Sequence, residues 1–265
     1  MRKLFVFLLA AAGLCQAETA GDVNPDEIIR RFVQKESEFK QARSKYTYRQ
    51  TVKLVELDAD SNPTDAKYEL VEDVVFTPEG KRTERVVRAP PNKLKNLILM
   101  PEDEQDLRDI QPYTLTADAI SSYDIRYLGK QQVDEINCYT FAVKPKTMEK
   151  GKRYFEGQIW VDDQDLQIVK SYGRGTGIIK KGTDSQFPKF ETYRQQIDGK
   201  FWFPVYTISN DTLHFHNGLD QRIKMTVKYE DYKQFKSEST IEFGDEVERP
   251  GEKPTTAPQA PKPKP

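Results

Sequence analysis

Two hydrophobic periods divide this chain. In NPDEIIRRFVQKESEFKQAR, residues 24–43, the apolar side chains of Ile28, Ile29, Phe32, Val33 and Phe39 fall mostly at three- and four-residue spacing, forming one stripe of a helix. Asn24 is a good N-cap and Pro25 suits the first helical position. Asp26 and Glu27 suit the positive end of the helix dipole. The other face is charged, so the helix packs one side on something larger.

From Tyr46 the period changes to two. YTYRQTVKLVEL places Tyr46, Tyr48, Val52 and Leu54 on one face. DADSNPTD turns the chain into AKYELVEDVVF, and Pro78-Glu79-Gly80 turns it again into KRTERVVRA. YDIRYLGKQQVDEINCYTFAVKP is another hairpin, with Tyr139, Phe141 and Val143 on one face of its return strand. KFETYRQQIDGKFWFPVYTI is a hairpin around Asp198-Gly199. In RIKMTVKYEDY, Ile223, Met225, Val227 and Tyr229 alternate with Arg222, Lys224, Thr226 and Lys228, giving a dry face and a wet one. About ten strands are expected.

Residues 90–120 break the pattern. Leu94–Met100 is an apolar knot beside an acidic stretch, and Pro90, Pro91, Pro101 and Pro112 exclude a continuous strand. A crossover with one or two short helices lying over the sheet is expected. The fold class is therefore α+β: a curved antiparallel sheet forming an incomplete β-barrel, covered by the N-terminal amphipathic helix and a short helical crossover. With the helix on its concave face, such a sheet encloses an apolar pocket. Residues placed to line it are Phe32 on the helix and Tyr48, Phe141, Ile159, Trp160, Phe201, Phe203 and Tyr229 on strands.

The first residues place this domain in a compartment. Arg2 and Lys3 precede the apolar run Leu4–Leu14, and Cys15-Gln16-Ala17 ends in a small residue, the pattern of a secretory signal peptide over 1–17. The run is too short for the ~20 residues that span a bilayer. Cys15 also raises lipidation, but Leu14 precedes it where lipoprotein processing wants Gly, Ala or Ser. The leader carries two bases and no acid, so its loss lowers the formal charge of −1 by two. Without a basic patch, nucleic acid is not an expected partner. One cysteine remains, Cys138 in the strand NCYTFAV, so no internal disulfide forms and the core alone holds the chain together. The domain is expected over 22–244, and 245–265, with six of the sixteen prolines and no aromatic residue, is expected to be a disordered tail.

Candidate chemistry is sparse. YFEGQIWVDDQDLQIVKSYGR carries Asp162, Asp163 and Asp165, but a calcium loop fails at position twelve, which is Arg174 or Gly173 depending on the start. A hairpin explains every residue: Phe155, Ile159 and Val161 share one face, and Asp162–Asp165 turn the chain. Leu166, Ile168 and Lys170 then line the return strand with Val169 opposite. His214 and His216 are the only histidines and lack the further ligands zinc needs. YGRGTGII lacks a strand-to-helix phosphate cradle and is expected to be a flexible loop. No hydrolase, metalloprotease, P-loop or dinucleotide signature is present. Neither a cofactor nor a metal is expected, and no acid finds an identifiable catalytic partner. The aromatics Phe190, Tyr193, Phe201, Trp202, Phe203 and Tyr206 are the surplus, either as sheet core or as the lining of a slot.

GQIWVDDQDLQIVKSYG resembles the tryptophan hairpin of the LolA/LolB-like superfamily of periplasmic lipoprotein carriers, in which a G-x-x-W-V-D run precedes a strand ending in Lys. FPKFETYRQQIDGKFWFPVY is similar to a run in secreted bacterial proteins named outer-membrane lipoprotein-sorting proteins. The resemblance implies a half-barrel, lidded by helices, that holds acyl chains. It implies a non-enzymatic, monomeric protein of the periplasm or outer-membrane face whose partner is a lipid or an acylated protein. The alternative is a periplasmic interaction or regulatory module of the same fold that binds a membrane-protein partner. A secreted hydrolase is a third class. The basic residue of true carriers near the cavity mouth has no counterpart placed here, and the acidic crossover Glu102–Asp109 is a departure.

Overall fold

In a computed structural model, residues 24–77, 80–178 and 186–235 are described. The expected leader 1–17, the tail 245–265 and both ends of the 22–244 domain lie outside them. Helix α1 spans Pro25–Arg43; the Asn24 side chain accepts from the amides of Asp26 and Glu27, and Lys40 and Arg43 close the last turn. Its buried stripe is Ile28, Phe32, Val33, Glu36 and Phe39, so the charged Glu36 lies among the apolar positions.

Ten strands follow. They are β1 (Tyr46–Leu57), β2 (Pro63–Phe76), β3 (Arg82–Arg88), β4 (Tyr123–Val133), β5 (Ile136–Pro145), β6 (Tyr154–Asp162), β7 (Ile168–Thr176), β8 (Lys189–Ile197), β9 (Phe201–His214) and β10 (Asp220–Gln234). They form one sheet ordered β3-β2-β1-β10-β9-β8-β7-β6-β5-β4, with every ladder antiparallel. β3 and β4 do not pair, so the barrel is incomplete. The α+β class and the open antiparallel sheet expected from the periodicity are what the chain adopts.

The strand order dictates the role of the crossover. β3 and β4 are consecutive in sequence but stand at opposite edges of the sheet. The chain between them must traverse the sheet, and hydrogen bonds to β1, β8 and α1 mark its path. This strap contains α2 (Pro101–Gln105), a π-helical turn (Asp106–Ile110) and a 3-10 turn (Ile120–Ser122).

The concave face is filled in two ways. At one end α1 seals it: Phe32 packs 5.4 Å from Phe141 between ring centroids, and Phe39 meets Phe203 edge-on at 5.1 Å. All four rings are fully buried. At the other end Leu54, Leu213, Ile223 and Met225 form a cluster capped by Leu94, Leu97, Leu99 and Leu107 of the strap.

Two local expectations need correcting. Tyr172–Thr176 is the second half of β7, not a flexible loop. Gly173 pairs with Gly157 of β6, and a Cβ on Gly173 would stand 2.3 Å from the Glu156 carbonyl oxygen and 2.8 Å from ring atoms of Phe155. The glycines therefore serve close approach of a ring and backbone within the sheet. Lys170 also departs from the expected alternation. Trp160 pairs with Lys170 and Val161 with Ile168, so Val169 is an extra residue in β7. This β-bulge turns Lys170 to the Trp160 side, its ammonium 5.0 Å from the ring centroids of Trp160 and Tyr193.

Candidate functional site: a cavity beneath the strap

Strand alternation brings Val52 and Leu54 of β1, Leu213 of β9, and Ile223 and Met225 of β10 to one wall of a cavity of about 360 Å³. Its roof is the strap, through Asn96–Met100, Glu102, Asp103, Asp106, Leu107 and Gln111. Gly175 and the segment Gln186–Pro188 with Phe190 close the third side.

The strap is fastened at both ends of this roof. Glu56 lies within the buried alternation of β1 and is 2 % exposed. Its Oε1 accepts from three successive amides, Lys95 (2.9 Å), Asn96 (2.8 Å) and Leu97 (3.1 Å). Three converging N–H groups satisfy a buried carboxylate that would otherwise be costly. Beside it Asn96 Nδ2 donates to Gln221 Oε1 at 2.6 Å. At the far end Arg153 Nε donates to Asp106 Oδ1 at 2.8 Å and its Nη2 to Oδ2, while the guanidinium lies 4.4 Å from the Phe187 ring centroid. Gly175 makes this approach possible, because a Cβ there would stand 2.2 Å from Asp106 Oδ2. Burial raises the Asp106 carboxyl above its ordinary value, with Arg153 pulling the other way. Burial also raises Asp103, against the hydrogen bond it accepts from the Met100 amide.

The residues anticipated as a lining sit elsewhere. Phe32, Phe141 and Ile159 belong to the core under α1, Tyr48 and Tyr229 to a cluster on β1, β2, β3 and β10, and Phe201 and Phe203 to the packing around Phe39. Trp160 lies on the other side of the sheet with Cys138 and Val169, its Nε1 donating to Gln131. None of the eight is among the residues lining the cavity, and of the aromatic surplus only Phe190 is. Ring-sized side chains at full burial fill space; the void instead arises where the strap's leucines bridge to the sheet.

The aspartates form the turn of a hairpin. Asp162 Oδ1 accepts from the Gln164 amide and Oδ2 from the Asp165 amide, while Asp165 Oδ2 accepts from Trp202 Nε1. Leu166 holds a left-handed φ of 53° and still buries its side chain under α1. Among the described residues no three His, Cys, Asp or Glu side chains converge as metal ligands. His214 Nδ1 lies 2.7 Å from Asp220 Oδ1 at the surface, and burial pushes the Cys138 thiol up to about 12.

Sequence reasoning missed three groups: Glu56, Gln111, and the pair Glu36–Arg194. In that pair Arg194 Nη1 stands 3.1 Å from both Glu36 oxygens with side-chain exposures of 2 % and 0 %. The usable signal for Glu36 was its place in the helical stripe, four residues after Phe32 and three before Phe39. Burial raises the Glu36 carboxyl and lowers Arg194, each opposed by the partner's charge.

No protein-family model matches the sequence, and no curated protein sequence does. Among solved structures, the chain is similar to a DUF1329 family protein from Desulfovibrio piger at 14% identity and a TM-score of 0.39, covering 82% of this chain and 96% of that one. It is similar to a LolA superfamily protein from Nitrosomonas europaea at 11% identity and a TM-score of 0.36, covering 81% and 95%. A putative outer membrane lipoprotein-sorting protein domain from Vibrio parahaemolyticus aligns at 11% identity and 0.35, covering 78% and 93%.

Proposed function

We propose that this protein is a non-enzymatic, exported binding protein of the cell envelope that holds a lipid or acylated chain in its half-barrel, in the manner of a lipoprotein-sorting carrier. The observation that carries the reading is the cavity beneath the strap, walled on the sheet side by Val52, Leu54, Leu213, Ile223 and Met225. Its size falls within the range of small-molecule sites, roughly 300–1,000 Å³. About ten buried methylenes at ~0.8 kcal/mol each bring ~8 kcal/mol, the level of a micromolar complex before the costs of association. The leader pattern of residues 1–17 supports export.

The test is displacement of the fluorophore 1-aminoanthracene by lauroyl compounds, with native mass spectrometry for co-purified lipid. Wild type binds saturably, and Met225→Trp, which fills the cavity, weakens binding at least tenfold with an unchanged melting midpoint. If no acyl or aromatic probe binds saturably, the carrier reading fails. The protein-interaction module then takes its place, a reading favoured by Ile98 and Met100 of the strap, which expose 84% and 40% of their surface.

A further inference from the structure

The polar groups around the cavity carry information about its ligand that the apolar wall does not. Among the described residues, the charged side chains lining it are the carboxylates Glu102, Asp103 and Asp106, and of these Asp106 is paired with Arg153. An anionic headgroup at this mouth would meet like charge in a partly buried setting. The second observation is independent of the acids. Gln111 is 4% exposed and lines the cavity. Among the described residues its Nε2 reaches only the thioether of Met225, at 3.7 Å, a weak acceptor on the same cavity wall. Its Oε1 is buried and has no hydrogen-bond partner among the described residues. Buried amides almost always satisfy both ends, so this one stands out beside an empty space.

The geometry points to a ligand that is uncharged at its polar end and carries a group able both to donate and to accept, an acyl amide or alcohol, which meets Gln111 while its chain lies on the sheet wall. A fatty-acid anion is disfavoured by the like charge of these carboxylates, and a bare ester, which only accepts, leaves Gln111 Oε1 unmatched. This inference rests on the carrier reading and narrows its substrate class. Amide-linked acyl chains occur on free amphiphiles and on acylated polypeptides alike, and both present the same group.

The experiment compares four probes of equal chain length by displacement of 1-aminoanthracene from the full chain: laurate, methyl laurate, lauramide and N-lauroylethanolamine. A short neutral peptide bearing an N-terminal lauroyl group separates the polypeptide source from the free amphiphile. Lauramide is expected to bind about tenfold tighter than methyl laurate, the scale of one hydrogen bond to a buried polar group, and laurate weakest of all. Gln111→Met, which keeps the side chain's shape, is expected to erase the preference for lauramide over methyl laurate while binding methyl laurate at least as well. Glu102→Gln with Asp103→Asn is expected to restore laurate towards methyl laurate. Equal affinity of the wild type for laurate, methyl laurate and lauramide would overturn the inference and leave the carrier reading standing. Absence of binding by every probe would overturn both. Should Gln111→Met not fold, the wild-type ranking decides alone.

Discussion

Replacing Arg194 by methionine removes the guanidinium that reaches both oxygens of Glu36 at 3.1 Å, the Tyr113 carbonyl, and the face of Phe39 at 5.0 Å. The Glu36 carboxylate, fully buried, is left with the Ile168 amide at 2.9 Å as its remaining hydrogen bond. Breaking a buried pair in this way costs about 3–5 kcal/mol, because the orphaned charge stays out of water. At ~2–4 °C per kcal/mol for a chain of this size, the melting midpoint falls by about 6–20 °C. Glu36→Met is expected to cost a similar amount by stranding Arg194. The double variant Glu36→Met/Arg194→Met leaves no charge behind, and such replacements are often neutral or stabilising. It should therefore be more stable than either single variant, a coupling of at least about 3 kcal/mol. Urea unfolding followed by tryptophan fluorescence measures all four proteins. Additive single losses, or a loss under about 1 kcal/mol for Arg194→Met, would refute the reasoning that one satisfied unit fastens α1 to β8. The pH sign follows from burial raising the Glu36 carboxyl above 4.5. Its contribution is present below that value and is lost as pH rises through the raised one, so the gap between wild type and Glu36→Met narrows with rising pH in that window.

Asp162→Ala should cost about 1 kcal/mol by orphaning the Gln164 and Asp165 amides, whereas Asp162→Asn should stay within a few tenths, and calcium should leave the midpoint unchanged; both read out in thermal melts. Gly173→Ala should destabilise by about 1–3 kcal/mol, since its methyl would stand against the Glu156 carbonyl and Phe155 ring; a neutral urea midpoint would contradict the close approach. Because burial raises Asp106 above 3.8, its contribution is present below that value and fades as pH rises through the raised one, so stability relative to Asp106→Asn should fall with pH over that window.

The helix and strands were legible because each obeys a local period. The stripe from Ile28 to Phe39, the Asn24 cap and the alternation Ile223–Tyr229 are short-range properties, and the sheet only had to bury what they already separated. The hairpin reading of Asp162–Asp165 held for the same reason, since its hydrogen bonds join residues two and three apart. Tertiary structure decided what depends on distant chain segments meeting. A one-residue bulge at Val169 reversed Lys170, and a glycine pair between β6 and β7 replaced an expected loop with strand. Strand order sent the segment after β3 across the concave face, and that path put Glu56 beneath three amides and Gln111 at a cavity wall 114 residues away from Met225 in sequence. Glu36 and Arg194 are 158 residues apart, and only the fold could convert a helix-surface acid and a strand arginine into a buried pair. The cavity itself belongs to this second class. Apolar patterning sets which side chains leave water, but whether they meet at full density or leave a void is settled by how the strap's backbone is fastened over them.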